Sequence, residues 1–319
     1  MKLVFDVGGT AVKYGVSDEE GNFSFTDSVP TPKTDVKEFL KVTGDIFEKA
    51  VREYALDGLA FSFPGEVHSR EGVIKGISAV EYLHHIPLKT ILEERFGGLP
   101  VTMANDANCA AMGERWKGVA KEYQNVVFVI CGTGIGGAVI ERGMLDKGVT
   151  MNRGEFGNFP MGGFQDGALL SWSDYTLEKQ AQKYNMKKQP KEASVDGIRL
   201  ERLSREGDRL AEELMEEFYY WMAVGCITLE FAFDPELIAI GGGISSNPGI
   251  IDRIRKKVVS LLDGQRQGYL MPRITACANG SRANLYGALY YHLYGETIEL
   301  NGITEQNHCG LMLRKVIAH

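Results

Sequence analysis

Two glycine turns, each set between two strands, constrain this chain more than anything else in it. The first, Asp6-Val7-Gly8-Gly9-Thr10, follows an apolar strand over residues 2–5. Extended segments resume at 12–16 and 23–29, with Gly21-Asn22 between them, so the chain opens as a β-meander. At about residue 120 the plan restarts. A buried strand, Val126–Cys131, meets the turn Gly132-Thr133-Gly134-Ile135-Gly136-Gly137, then a strand at Ala138–Ile140 and another from Met144-Leu145. Helices and strands alternate after each meander. The first is followed by a helix over 35–54, a strand Gly58–Phe63 closing on Pro64-Gly65, and a helix near 87–96. The second is followed by a helical region from roughly 167 to 233, whose last part (206–233) is long and amphipathic. A strand Leu237–Ile240, a helix over 248–262, a strand near 272–277 and a helix over 284–294 complete the pattern, and the tail 296–319 has no clear period. The repeat is one of topology, not of residues.

At 319 residues the chain exceeds what one core usually supports. Two lobes are therefore expected, 1–118 and 119–294, with 295–319 as a candidate addition to the first. A cleft between duplicated lobes is where a small molecule would bind. The net charge of −7 argues against nucleic acid or an anionic membrane as partner, and no apolar run approaches the ~20 residues of a membrane span. Met1-Lys2-Leu3-Val4 enters a strand directly, without the pattern of a signal peptide, and the five cysteines are odd in number and scattered. Both features predict reduced thiols in the cytoplasm.

The glycine turns suit anions. Gly8 and Gly9 let backbone N–H groups approach closely, Thr10 and Lys13 add a hydroxyl and a charge, and Asp6 could hold a metal ion directly or through water. A plain hairpin with a surface lysine is the alternative. Gly132 to Gly137 matches G-x-G-x-x-G, yet a strand follows it where a dinucleotide fingerprint needs a helix, so a Rossmann site is excluded. What remains is a second phosphate-sized hairpin with Thr133 as its hydroxyl. Gly241-Gly242-Gly243 could let a flat ring lie against bare backbone, or serve only as a tight turn. Finally, the strand Leu99–Ala104 meets Asn105-Asp106-Ala107-Asn108 and an alanine-rich helix. Asp106 is expected at the helix N-cap, either as a cap alone or as a catalytic carboxylate.

In this order, Asp6-Val7-Gly8-Gly9-Thr10-Ala11-Val12-Lys13, Pro64-Gly65, Asn105-Asp106-Ala107-Asn108, Cys131 to Gly137, Gly154-Glu155-Phe156-Gly157 and Ile240 to Ser245 form a specific combination. On these residues the chain resembles the ROK family of sugar kinases, glucokinase- and β-glucoside-kinase-like, within the actin/hexokinase/Hsp70 superfamily. The resemblance implies an α/β fold of two RNase-H-like (actin-like ATPase) lobes around a central cleft. It implies an ATP- and Mg²⁺-dependent kinase acting on a hexose or β-glucoside, at O6 by family habit, and a homodimer. Asp106 would be the general base, Asn105, Gly65 and Glu155 would meet the sugar, and Asp6 would reach Mg²⁺ through water. Gly8, Gly9, Thr10, Lys13, Gly132, Thr133 and Gly134 would surround the phosphates, and Gly242 and Gly243 would face the adenosine.

The departures are informative. The family usually has a zinc-binding His where this chain has Asn158, and the cysteine cluster that follows is replaced by Gly162 to Ser173. With no Cys between 131 and 226, a thiolate zinc site is not expected, which places the chain with a zinc-free subgroup. Asn158 and Ser173 are expected to take over sugar contacts. A ROK-type repressor would need an N-terminal helix-turn-helix, for which the strand at residue 2 leaves no room. A non-catalytic ROK-type sugar sensor is the remaining alternative, and Asp6, Lys13, Asn105 and Asp106 weigh against it.

Overall fold

The computed structural model describes residues 1–165, 167–188, 194–264 and 271–295. Residues 296–319, and with them nearly all of the segment considered as an addition to the first lobe, lie outside the described residues.

Six consecutive buried residues make β1 (Lys2–Val7) a central strand. It pairs antiparallel with β2 (Ala11–Ser17), which pairs with β3 (Phe23–Pro30). After α1 (Val36–Glu53) the chain returns as β4 (Gly58–Phe63), parallel to β1 on its other side. A small hairpin follows, β5 (Glu66–His68) and β6 (Val73–Lys75), then α2 (Leu88–Arg95). β7 (Val101–Asn105) closes the sheet as β3-β2-β1-β4-β7 and runs straight into α3 (Asp106–Lys117).

The second sheet repeats this plan. β8 (Val126–Cys131), β9 (Ile135–Glu141) and β10 (Met144–Asp146) form its meander. A two-stranded sheet, β11 (Pro160–Gln165) and β12 (Ala168–Ser171), precedes α4 (Leu177–Lys188), α5 (Gly197–Arg205) and α6 (Arg209–Phe233). β13 (Leu237–Gly242), α7 (Pro248–Gly264) and β14 (Ile274–Ala276) complete the order β10-β9-β8-β13-β14, and α8 (Ala283–Tyr294) ends the described chain. The two five-stranded sheets have the same order and directions, as the glycine turns predict.

Two segments differ from expectation. The helical region expected from about 167 begins with a short turn at Trp172–Tyr175 and the α-helix at Leu177, because Ala168–Ser171 pairs with β11. A four-residue apolar run carries no period that separates a strand from a helix. The hairpin β5–β6 is likewise unannounced, its strands being three residues each.

Each sheet has its own core, and a third core joins them. Val4 and Ala60 from the first sheet, Phe128 and Ala239 from the second, Cys109 and Met112 from α3, and Leu285 and Leu289 from α8 are buried together. α8 was expected with the second lobe; it packs against β1, β4 and β7 as well as α3. Gly287 makes the α3–α8 approach possible, since a Cβ there would lie 1.8 Å from the Cys109 carbonyl oxygen.

Candidate active site

Because β1, β4 and β7 run parallel, their C-terminal ends lie along one edge of the sheet. The Gly8–Thr10 turn, Pro64-Gly65 and the Asn105-Asp106 corner are therefore neighbours although far apart in sequence. β8, β13 and β14 do the same for Gly132–Gly134, Gly242-Gly243 and Cys277. The two edges meet at α3: a Cβ built on Gly136 would lie 3.7 Å from the Ala107 Cβ.

At the corner, Asn105 is the N-cap, and Asp106 is the first helical residue instead of the cap expected from the sequence. The Asn105 side-chain oxygen accepts from Asn108 N at 3.0 Å, completing the cap. Its Nδ2 donates to the Gly65 carbonyl at 3.0 Å and to Asp106 Oδ1 at 3.1 Å. Ala107 N also donates to Asp106 Oδ1, at 2.8 Å. Because Asn105 does the capping, Asp106 Oδ2 is left without a hydrogen bond among the described residues. Burial pushes the Asp106 carboxyl up to about 6, helped by the charges of Asp6 and Glu155 and opposed by the Ala107 N–H. A carboxylate so poised can take a proton near neutral pH.

Beside Asp106 lies a polar pocket lined by Gly65, Glu66, Asn105, Asn108, Lys147, Arg153 and Glu155, among others. It brings together three of the expected sugar ligands, Gly65, Asn105 and Glu155. Partial burial raises the Glu155 carboxyl from its usual range, and the charge of Glu66 adds to this. Arg153 is held by Asp146 and by Glu141, the latter at 3.3 Å. Glu66, Lys147 and Arg153 come from the β5–β6 hairpin and the 147–155 loop, and no spacing in the sequence marks them.

Asn158 and Ser173 lie elsewhere. Asn158 is exposed at the end of the short turn 156–158, its N–H donating to the Glu155 carbonyl at 3.1 Å. Ser173 Oγ accepts from Ile135 N at 3.0 Å, behind the second glycine turn. Neither lines the polar pocket.

On the other side of the corner is a cleft of 590 Å³. Lys13, Gly241, Gly242, Gly243, Ser245 and Ser246 form part of its wall, and Ala110, Glu114, Ile130 and residues of the 277–284 segment form the rest. Gly242 has φ +82°, and a Cβ there would lie 2.1 Å from the Cys131 carbonyl oxygen, so a side chain is excluded where the cleft wall is bare backbone. Lys13 reaches Asp6 Oδ2 at 3.3 Å. Asp6 is buried, its Oδ1 accepting from Ser62 Oγ at 3.1 Å and Asn284 Nδ2 at 2.9 Å. Asn284 and Glu114 are site residues that the sequence did not signal.

Gly8 is tied by Thr31, whose Oγ1 donates to its carbonyl at 2.6 Å, and the Gly9 carbonyl accepts from Lys33. Thr10 accepts from Thr31 N at 3.0 Å and is exposed. Gly132, Thr133 and Gly134 form an exposed tip closed by Gly132 N donating to the Gly134 carbonyl at 2.9 Å. Thr176 Oγ1 donates to the Thr133 carbonyl at 3.0 Å. Gly8 N donates to the Ala11 carbonyl at 3.0 Å, so each tip already uses one of its amides inside its own turn. Among the described residues no group of three or more His, Cys, Asp or Glu is placed to hold a metal ion. With Oδ1 doubly bonded and Oδ2 beside Lys13, Asp6 fits an outer, water-mediated hold on Mg²⁺ carried in by phosphates better than direct ligation.

A buried carboxylate on a corner flanked by two cavities suits chemistry in which one molecule passes a group to another, and the duplicated sheets are those of the actin-like ATPases. The fold, together with relatives that are sugar kinases, makes this a sugar kinase. More specifically, the chain belongs to the ROK family, whose profile matches residues 3–293. It is 32% identical over 315 residues to a β-glucoside kinase of Listeria monocytogenes, covering 93% of this chain and 99% of the relative. Among solved structures, a Streptococcus pneumoniae ROK protein in complex with sucrose superposes with a TM-score of 0.82 at 31% identity, over 92% of this chain and 99% of that one. A ROK glucokinase from Streptomyces griseus in complex with glucose and AMPPNP gives 0.76 at 27% identity, over 91% and 98%.

Proposed function

We propose that this protein transfers the γ-phosphoryl group of ATP to a hydroxyl of a hexose or β-glucoside, O6 by family habit, with Asp106 as general base. The observation that carries the assignment is the Asp106 carboxyl, raised to about 6, on a corner whose Asn105 and Asn108 line the polar pocket and whose helix brings Ala110 and Glu114 to the 590 Å³ cleft. The sugar would lie in the pocket, against Gly65, Asn105 and Glu155. ATP would lie in the cleft, its adenosine on Gly242 and Gly243 and its phosphates toward Lys13 and the two glycine turns. Asp106 Oδ2 would accept the hydroxyl proton as the sugar oxygen bonds to the γ-phosphorus and the bond to the β-phosphate oxygen breaks, releasing ADP. Mg²⁺, when bound with ATP, would offset charge on the phosphates, with Asp6 holding it through water. Asn158 and Ser173 have no sugar contact in this scheme; Ser173 instead braces the second glycine turn through Ile135 N.

The β-glucoside kinase of Listeria and the sucrose-bound Streptococcus protein favour a substrate larger than a free hexose. The reading includes a homodimer, for which the exposed Tyr220 and Phe231 on α6 are the candidate contacts, and a cytoplasmic site of action in keeping with the free thiols. No helix among the described residues is long and apolar enough to cross a membrane. An ADP-release assay with ATP and Mg²⁺ against glucose, mannose, fructose, N-acetylglucosamine, N-acetylmannosamine and cellobiose tests the reading. Sugar-dependent turnover lost in Asp106→Asn supports it; sugar binding without turnover would leave a sensor.

A further inference from the structure

Glu114 lies eight residues beyond Asp106 on α3, about 12 Å along a rigid helix. It is fully buried, yet it borders the nucleotide cleft. Both carboxylate oxygens are engaged by backbone: Oε1 accepts from Asn279 N at 2.6 Å and Oε2 from Val119 N at 3.1 Å. Asn279 Nδ2 in turn donates to the Gly113 carbonyl at 3.2 Å. The turn leading into α8 is therefore tied twice to the last turns of α3, and that turn contributes Ala278, Gly280 and Ser281 to the cleft wall. A carboxylate buried without partners is costly, so the two N–H groups and Glu114 hold one another in place.

We propose that Glu114 is a positioning residue for ATP, clamping the 277–282 turn to the helix that carries Asp106 so that nucleotide and base stay in register. This rests on the reading that the cleft takes ATP. A carboxylate serving the fold alone has no reason to affect one substrate more than the other. Glu114 reaches the nucleotide side through Asn279 and makes no contact with the sugar pocket, so its loss falls on ATP.

The test is kinetics and calorimetry on Glu114→Gln, whose amide nitrogen cannot accept from an N–H. The KM for ATP should rise about tenfold, the loss of one charged hydrogen bond, with kcat changing less. The sugar Kd, measured without nucleotide, should stay within about twofold on the same principle. Asn279→Pro is the second variant: Asn279 has φ −80°, close to the proline range, so the change deletes the donor N–H, and with it the Nδ2 bond to the Gly113 carbonyl. Its effect on ATP should be at least as large, and the double variant should add little to the proline variant alone. Equal losses for ATP and sugar, an unchanged KM for ATP in a variant that melts like the parent, or fully additive effects would each overturn the role of Glu114. Failure of the parent protein to bind ATP or ADP would instead remove the reading of the cleft, and the inference with it.

Discussion

Asp106 is held by opposing influences, and its titration should show in activity. Burial and the charges of Asp6 and Glu155 raise its carboxyl to about 6, while the Ala107 N–H favours the anion. The base works only when ionised, so kcat/KM should fall about tenfold for each pH unit below about 6 and be insensitive to this group above it. A pH–rate profile checks this. Asp106→Asn should remove that limb and lower kcat by about 10²–10⁴, the usual share of a general base. The same shift has a consequence for stability. A carboxyl raised in the folded state favours folding below its unfolded pKa, and that contribution is lost as pH rises through the folded value. Ionised Asp106 therefore weakens the fold at neutral pH. Asp106→Asn should be more stable than the parent by about 1–3 kcal/mol at pH 7, and the gap should close toward pH 4. Thermal unfolding across that range measures it, and an asparagine variant less stable at pH 7 would contradict the burial argument.

At the scale of elements, the β7–α3 corner joins helix capping to the base we propose. Asn105→Asp keeps an acceptor for Asn108 N but loses the donors to Gly65 and Asp106, and sets a second negative charge beside the base. Helix stability should hold within about 1 kcal/mol, while the acid limb of the pH–rate profile moves to higher pH. An unchanged limb would mean that Asn105 does not tune Asp106. The α3–α8 crossing is the other sensitive contact. Gly287→Ala would force a Cβ against the Cys109 backbone and should cost about 1–3 kcal/mol or more, seen as a lower melting temperature. These elements differ in how far the sequence announces them. Both glycine turns, the Asn-Asp corner and the long α6 are set by local residue types, and they fall where the pattern puts them. The hairpins β5–β6 and β11–β12 are too short for a period to form, and tertiary packing decides them. The site divides the same way. Gly65, Asn105, Glu155, Lys13 and Gly242 sit at strand ends or in motifs, whereas Glu66, Lys147, Arg153, Glu114 and Asn284 reach it from loops and helix faces. Ser173, whose place in the chain suggested a sugar ligand, accepts from Ile135 N, a bond that only the folded second turn reveals.

The whole molecule is organised by the core that its two sheets share. The duplicated topology suggests a boundary near residue 118 as a proposal, while Val4 and Ala60 on one side of it and Phe128 and Ala239 on the other are buried by the same pair of helices. α8 comes last among the described elements and covers the first sheet, where Asn284 reaches Asp6. Each half has a core of its own but shares this third one, and neither can cover that part alone. Residues 1–118 without α8 would expose the faces of β1 and β4 that carry Val4 and Ala60, together with the apolar side of α3. Equilibrium unfolding of the whole chain should then be a single transition, with calorimetric and van't Hoff enthalpies in agreement. An isolated 1–118 fragment should lack the cooperative melt of a folded domain, and adding a 119–319 fragment should restore it. Two resolved transitions in the intact chain, or a cooperatively folded 1–118 fragment, would show that the lobes are independent. The shared core would then be a docking surface between them, not the centre from which both sheets are built.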